Sequence, residues 1–470
     1  MLLRKGLARG LGVALCMAAW AASWTWSAPA PASTPGKLEW RSTENKVNAD
    51  FENWPLCRLL ETISAKTRWR VYVEPGVSRT ISARFNGLTT TEALSRLLGN
   101  LNFALLPAKD GPPRLYIFLT TMQTATDLVA APPAANHGKV IPNELIVTLK
   151  PGSKESIDDL AKRLGAKVVG RADNLHAYRL RFEDEAAAQA AQTTLAGNSD
   201  VNSVEANYSV SVPPPPELLS GAALPAFNLK PSANSGQVVV GLVDTAVQTQ
   251  GTPLKDFLLT PVSVAGTDAT PVTDQLNHGT SMAETILNTL AKSPDAANGT
   301  PVRILPVDVY GGSESTTTFE VAQGIQAAVN GGATIINLSL GGTGDSPLLH
   351  GLITAAHDQG IVFLAAAGNQ PVTTPTYPAA YPEVIPVTAV LPDGTLASYA
   401  NRGSFVTDGA PGTSIVAFQG QAYLVVGTSV STANGSALAA YEAASSGKTG
   451  SALDALVRQI LALKPGAVGP

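Results

Sequence analysis

The sequence predicts an α/β protein in which a parallel sheet flanked by helices follows two small α+β units. Three observations carry that expectation. Between residues 235 and 446, apolar runs of strand length alternate with longer helical stretches, the pattern of strands buried on both faces. Upstream, two shorter segments each mix strands with amphipathic helices. Proline-rich runs without periodicity separate the parts: APAPASTPGK (28–37), APPAANHGK (131–139) and VPPPPELLSGAALP (212–225).

A chain of 470 residues has room for about three domains, and at 44% hydrophobic and 14% charged residues it can bury a core in each. Thirty-two basic against 36 acidic side chains give a net charge of −4, so no cationic surface for nucleic acid or for an anionic membrane is expected. The first residues, MLLRKGLARGLGVALCMAAWAAS, place Arg4, Lys5 and Arg9 before an apolar stretch from Leu11 to Ala22. That order reads as a secretory signal peptide over 1–32, and so as an exported protein, periplasmic or secreted. The apolar run is short for a membrane span and is interrupted by Gly12. Of the two cysteines, Cys16 leaves with the signal and Cys57 then stands alone, so no internal disulfide is expected.

Residues 38–122 read as strand, helix, strand, strand, helix, strand, strand. PLCRLLETISAKTRW places Leu56, Leu59, Leu60 and Ile63 on one helical face, and TTEALSRLLGNLN forms the second helix, with Thr90 as its cap. The succession of helix, apolar strand, Pro-Gly, strand, GLT and EALSRLLGNLNF resembles the short N-terminal domain of secretins and TonB-dependent receptors. That resemblance implies a cell-envelope protein as a partner and carries no catalytic group.

Residues 138–211 read as β-α-β-β-α-β: NELIVTLKPG, IDDLAKRLGA, KVVGRA, AYRLRF, EDEAAAQAAQTTLAG and VNSVEANYSVSV. This is the split ferredoxin-like arrangement. The fold by itself implies no activity. Its place before a linker (212–234) and a larger α/β segment resembles the propeptide of subtilisin-like peptidases, as do the phrases LIVTLKPG, LGAKVVGR and VEANY.

The large segment supplies chemistry-bearing residues at strand and helix ends. VVVGLVD (238–244) is a buried strand ending in Asp244, and NHGTSMAETILNTLA opens a helix with His278. IINLSLGG (335–342) and IVFLAAAGN (361–369) are apolar strands, the second closing on Asn369, and VVGTSVSTANGSALAA (425–440) sets Ser429 where a strand meets a helix. Ligands of open parallel sheets sit at the carboxyl ends of the strands, where these residues fall. Of the five histidines only His278 has an HGT context, and no HExxH, CxxC or Walker loop is present.

Taken in order, Asp244, His278, Asn369 and Ser429 resemble the subtilase family of serine peptidases over about 235–446. Elementary chemistry fits those residue types: a serine hydroxyl needs an imidazole to take its proton, and the imidazole needs a carboxylate to hold its tautomer. The resemblance implies a zymogen whose partners are polypeptide substrates and its own propeptide. It implies Asp244, His278 and Ser429 as the triad, and Asn369 with the Ser429 N–H as the oxyanion hole. Ser339, Leu340, Gly341 and Gly342 are then the substrate strand, with Ala367 and Gly368 on the facing wall. Neither wall carries a charge, so apolar side chains are expected to enter. No metal site is expected; calcium, common in the family, stays open as a cofactor, although no dense carboxylate loop is seen. Residues 447–470 are left as a C-terminal helical tail.

Several residues depart from the family pattern without removing a catalytic atom: Ala246, Ser281, Glu284, Ala433 and Asn434. Glu284 puts a charge where a glycine is usual on a helix that has to pack, and Ala433 replaces a proline, which predicts a looser turn after Ser429. These departures leave open a second reading, a weak or inactive subtilase fold that binds peptides.

Overall fold

Every residue of the strand Val238–Asp244 is buried, and around it a seven-stranded sheet is laid out. In a computed structural model of the chain the described residues are 37–464, apart from 42–43, 75–76, 78, 108–112, 121, 123–126, 130–139, 220–222, 233–237 and 267–273. The segment read as a signal peptide, with Cys16, and the linker at 131–139 lie outside them.

The strands follow one another across the large sheet in the order Val262–Ser263, Val302–Asp308, Val238–Asp244, Ile335–Leu338, Val362–Ala366, Val384–Val390 and Asp408–Pro411. All neighbours pair in parallel. Alternation along Val238–Asp244 sends Val238, Val240 and Leu242 to one face and Val239 and Val243 to the other. The first face packs on the helices His278–Leu290, Thr428–Ser446 and Gly450–Leu461 through Ile286, Ala437 and Val457. The second packs on Thr318–Asn330 and Pro347–Asp358 through Ile325 and Ile353. Two covered faces explain why the central strands read as continuous apolar runs.

The expected β-α-β-β-α-β order is present as Val140–Leu149, Ile157–Leu164, Lys167–Ala172, Ala177–Arg181, Glu185–Leu195 and Val201–Ser211. Its helices are capped by local side chains and a glycine: Ser156 Oγ accepts from Asp159 N, Gly165 closes the first helix in the left-handed conformation, and Asp184 accepts from Ala187 N. The antiparallel sheet gains a fifth strand from the large domain, because Val201–Ser211 also pairs with Ser315–Thr317. One sheet face covers its own helices. The other, with Ile146, Ala172 and Ala177, receives Phe319 from the helix Thr318–Asn330.

By its contacts the chain divides into two units. The smaller takes the described residues up to Trp54 together with Thr80–Leu97. It holds a sheet ordered Lys37–Arg41, Lys46–Pro55, Thr80–Leu88 and the helix beginning at Thr90. Here the cap differs from expectation by one residue. Thr89, not Thr90, forms a reciprocal box with Glu92, whose carboxylate accepts from Thr89 N at 2.9 Å. The rest of the N-terminal segment belongs to the larger unit, as the helix Leu56–Thr67 and a sheet ordered Asn102–Leu106, Arg114–Phe118, Arg70–Val73, Asp127–Val129. Leu56, Leu59, Leu60 and Ile63 are all buried, as their spacing predicts. No helix among the described residues is long and apolar enough to cross a membrane.

Helix and sheet approach closely at Gly324, where a Cβ would lie 2.4 Å from Val309 Cγ1 and 3.0 Å from Val243 Cγ1. A Gly→Ala change in a helix gains about 1 kcal/mol of propensity, but forcing a methyl onto two stiff valines costs about 1–3 kcal/mol. Gly324→Ala should therefore lower the urea midpoint rather than raise it; an increase would show that the helix can move off the sheet at no cost.

Candidate active site

Asp244 closes its strand with a carboxylate that is 1% exposed, and its Oδ1 accepts Thr245 N at 2.7 Å. His278, first residue of its helix, brings Nδ1 to 2.8 Å from Oδ1 and 3.0 Å from Oδ2 of that carboxylate. A carboxylate can only accept, so Nδ1 carries the hydrogen and Nε2 is left as a base. Two contacts fix the approach of helix to strand. Gly279 N donates to Thr245 Oγ1 at 2.8 Å, and a Cβ on Gly279 would lie 2.1 Å from the main-chain oxygen of Thr245. Tyr310 lies nearby, its phenol pushed well up by burial and by the Asp244 charge.

Ser429 is the second residue of the helix Thr428–Ser446, and Gly427 before it holds φ at 150°. Its hydroxyl donates to the main-chain oxygen of Ser339 at 3.0 Å, and Ser339 Oγ returns a bond to the oxygen of Ser429 at 2.9 Å. The nucleophile candidate is thus parked on the expected substrate strand instead of on His278. Asn337 and Ser436 extend the link into the core.

Asn369 is oriented by Thr428, whose N–H and hydroxyl both donate to its Oδ1, at 2.8 and 2.9 Å. That arrangement leaves the Nδ2 hydrogens for another acceptor. Asn369 and Ser429 line one cavity of about 340 Å³ together with Ser339, Leu340, Gly341, Gly342 and Gly368. Ala367 is not on its wall; it is fully buried and its N–H is bound to Val387 O. The turn at Gly368 has φ 110° and touches Asn401, whose amide also receives Gln370 N and donates to Thr376 Oγ1. Sequence reasoning did not single out Thr245, Asn401 or Thr428. Only Thr428 carried a signal, as the polar residue opening a helix.

The same cavity is lined by Ser209, Ser211, Val212, Pro213 and Pro214, which continue from the ferredoxin-like sheet. Val212 N donates to Glu314 O at 2.9 Å on one side. On the other, Glu217 and Leu218 pair antiparallel with Leu424 and Tyr423, in the strand that leads to Ser429. Tyr208 packs its ring where a Gly344 side chain would be, and Glu205 accepts from Ser346 Oγ at 2.5 Å and Leu348 N at 2.9 Å, capping the helix Pro347–Asp358.

The departures from the family pattern find places here. Ser281 Oγ bonds back to Asn277 O, and Asn434 Nδ2 donates to Pro411 O. The expectation of a looser turn at Ala433 is corrected: Ala433 is fully buried inside the helix, in its core-facing row. Among the described residues no three His, Cys, Asp or Glu side chains converge as metal ligands, so none is assigned to calcium.

Residues 235–460 match the model of the Subtilase family, and residues 128–207 that of the Fervidolysin N-terminal prodomain. The chain carries a subtilase domain. Over 175 residues it is 35% identical to thermitase of Thermoactinomyces vulgaris, covering 37% of this chain and 62% of that one. It is 34% identical over 210 residues to the thermophilic serine proteinase of Bacillus sp. strain AK1, covering 44% and 52%. The crystal structure of fervidolysin from Fervidobacterium pennivorans superposes with a TM-score of 0.53 at 20% identity, over 65% of this chain and 55% of that one, a likeness of fold. The chain thus spans between half and two thirds of the length of these relatives.

Backbone oxygens cannot yield as side chains do, so Gly279→Ala should push the subtilase domain's histidine helix away from Thr245. The expected outcome is a fall of about 10²-fold or more in reaction with a fluorophosphonate probe. A variant that reacts at the parent rate would mean that the helix end has room the geometry denies.

Proposed function

We propose that the chain is an exported serine endopeptidase made as a zymogen. The observations that carry this reading are the hydrogen-bonded Asp244–His278 pair and the shared cavity on which Ser429 and Asn369 lie. In the reaction, the Ser429 hydroxyl leaves Ser339 O, passes its proton to His278 Nε2 and attacks the scissile carbonyl carbon. Asp244 steadies the imidazolium that forms. Charge on the carbonyl oxygen is taken by Asn369 Nδ2 and by Ser429 N–H, which sits in the first helical turn where no intrahelical acceptor exists. His278 then protonates the leaving amine, and a water activated by the same imidazole releases the acyl group. Ser339–Gly342 bind the substrate as an added strand, Gly368 faces them, and the uncharged walls favour apolar side chains.

Residues 138–211 act in this reading as the propeptide. Support comes from the run Ser209–Pro214 along the cavity and from Pro213–Pro216, which lie between the points held by Glu314 and by Leu424. Four successive prolines offer no N–H to a substrate strand, so the strap lies along the cleft yet makes a poor substrate. We therefore place the processing cut beyond it, within 217–234. Residues 1–32 serve as the signal for export. Residues 38–122 are proposed, on resemblance alone, to dock a cell-envelope protein.

Two variants test the reading. Ser429→Ala should not label with a fluorophosphonate and should accumulate uncut if processing is autocatalytic. Asn369→Ala should label slowly and lose about 10²–10³ in turnover, the magnitude measured for the equivalent subtilisin asparagine. Equal peptide cleavage by Ser429→Ala and the parent would end the endopeptidase reading.

A further inference from the structure

Glu284 is a carboxylate on the helix that begins with His278, 1% exposed and used by no step above. What it touches is the edge of a strand. Thr413–Phe418 forms a hairpin with Gln421–Val426, and the second strand of that hairpin runs through Gly427 directly into Ser429. Among the described residues, the outer edge of Thr413–Phe418 has no strand beside it. There the N–H of Ala417 donates to Glu284 Oε1 at 2.5 Å, and the oxygen of Ile415 accepts from Asn288 Nδ2 at 3.3 Å. The match is geometric: residues four apart on a helix are about 6 Å apart along its axis, and residues two apart on a strand about 6.6 Å. Two side chains of the histidine's helix thus take the place of a neighbouring strand.

We propose that Glu284 is a positioning residue for the Ser429–His278 pair: with Asn288 it clips the open edge of Thr413–Phe418 to the histidine's helix and sets the reach between nucleophile and base. This rests on the peptidase reading above. A shift of the hairpin against the helix moves Ser429, which follows the hairpin by three residues, against His278, which opens the helix six residues before Glu284.

The arrangement opposes stability, which separates its role from that of a packing residue. Burial pushes the Glu284 carboxyl up to about 7, against the opposing pull of the Ala417 N–H and the Asn288 amide, and no charged group takes part in the shift. Its Oε2 is buried without a partner. A carboxyl raised in the folded state contributes stability below its unfolded value and loses it as pH rises through about 7. Glu284→Gln keeps an acceptor for Ala417 and has no charge to bury, so above that pH it should melt higher than the parent.

The experiment compares parent, Glu284→Gln, Glu284→Ala and Asn288→Ala as full chains after processing, below their melting points. It reads fluorophosphonate labelling, kcat and KM on an unstructured peptide, and hydrogen exchange at the Ala417 amide. Glu284→Ala should lose about tenfold or more in labelling rate and kcat with KM nearly unchanged, and its Ala417 amide should exchange faster. Glu284→Gln should recover most of the rate and the protection. Asn288→Ala, which removes only one half of the clip and serves if Glu284→Ala does not fold, should show a smaller loss of the same kind. Parent-like labelling in Glu284→Ala, or in Asn288→Ala where Glu284→Ala cannot be obtained, overturns the proposal, as does a Glu284→Gln variant as slow as Glu284→Ala. A parent chain that never labels overturns the peptidase reading instead, and unchanged exchange at Ala417 in the variants then removes the clip as well.

Discussion

The contact on which the site depends is the one between two buried groups, the Asp244 carboxylate and the His278 imidazole. A carboxylate in an apolar interior is costly unless hydrogen bonds meet it, and here the imidazole and Thr245 N do so. Neither residue chooses its own position. Asp244 is where it is because its strand runs between two strands in the middle of a parallel sheet. His278 is held because Gly279 lets the helix start against the main chain of Thr245. Sheet, helix and site are therefore coupled through a single close approach.

Around that pair the remaining parts share one logic, in which main-chain groups and short polar side chains fix each candidate site atom. Thr428 turns the Asn369 amide, Ser339 holds the Ser429 hydroxyl, and Asn401 braces the turn at Gly368. The chain leaving the ferredoxin-like sheet enters the same cavity. Its prolines cannot offer a donor to Ser339 O, and that oxygen takes the serine hydroxyl. The hydroxyl of the candidate nucleophile bonded to Ser339 O and a strap along the cavity wall thus belong to one arrangement.

Much of this was legible in the sequence, for local reasons. The unbroken run VVVGLVD marks a strand buried on both faces, and a polar residue at its end has to serve some purpose. The two helices of 138–211 were legible as segments, while their caps at Ser156, Gly165 and Asp184 came from the structure. What the sequence did not yield depends on distant partners. Lys37–Arg41 and Asp127–Val129 are strands only because others pair with them, and Ser315–Thr317 adds to a sheet more than 100 residues upstream. Asn401 sits in no motif and matters through Gly368. Glu284 stood out as a misfit on a packed helix, but its partner, the open edge at Ala417, is 133 residues away. Ala367 belonged to an apparent wall and is in fact turned into the sheet.

The central claim, that a carboxylate bonded to Nδ1 makes His278 a base for Ser429, is tested most directly by Asp244→Asn. The amide keeps the shape of the side chain but can donate to Nδ1, which would move the imidazole hydrogen to Nε2. The measurement is the second-order rate of fluorophosphonate labelling of the processed protein at neutral pH, with circular dichroism confirming the fold. The account predicts a fall of about 10⁴-fold, the loss seen when the triad carboxylate of a serine protease is replaced in this way. Labelling within about tenfold of the parent would contradict it, because an effect of only about 1.4 kcal/mol is too small for the group that sets the tautomer.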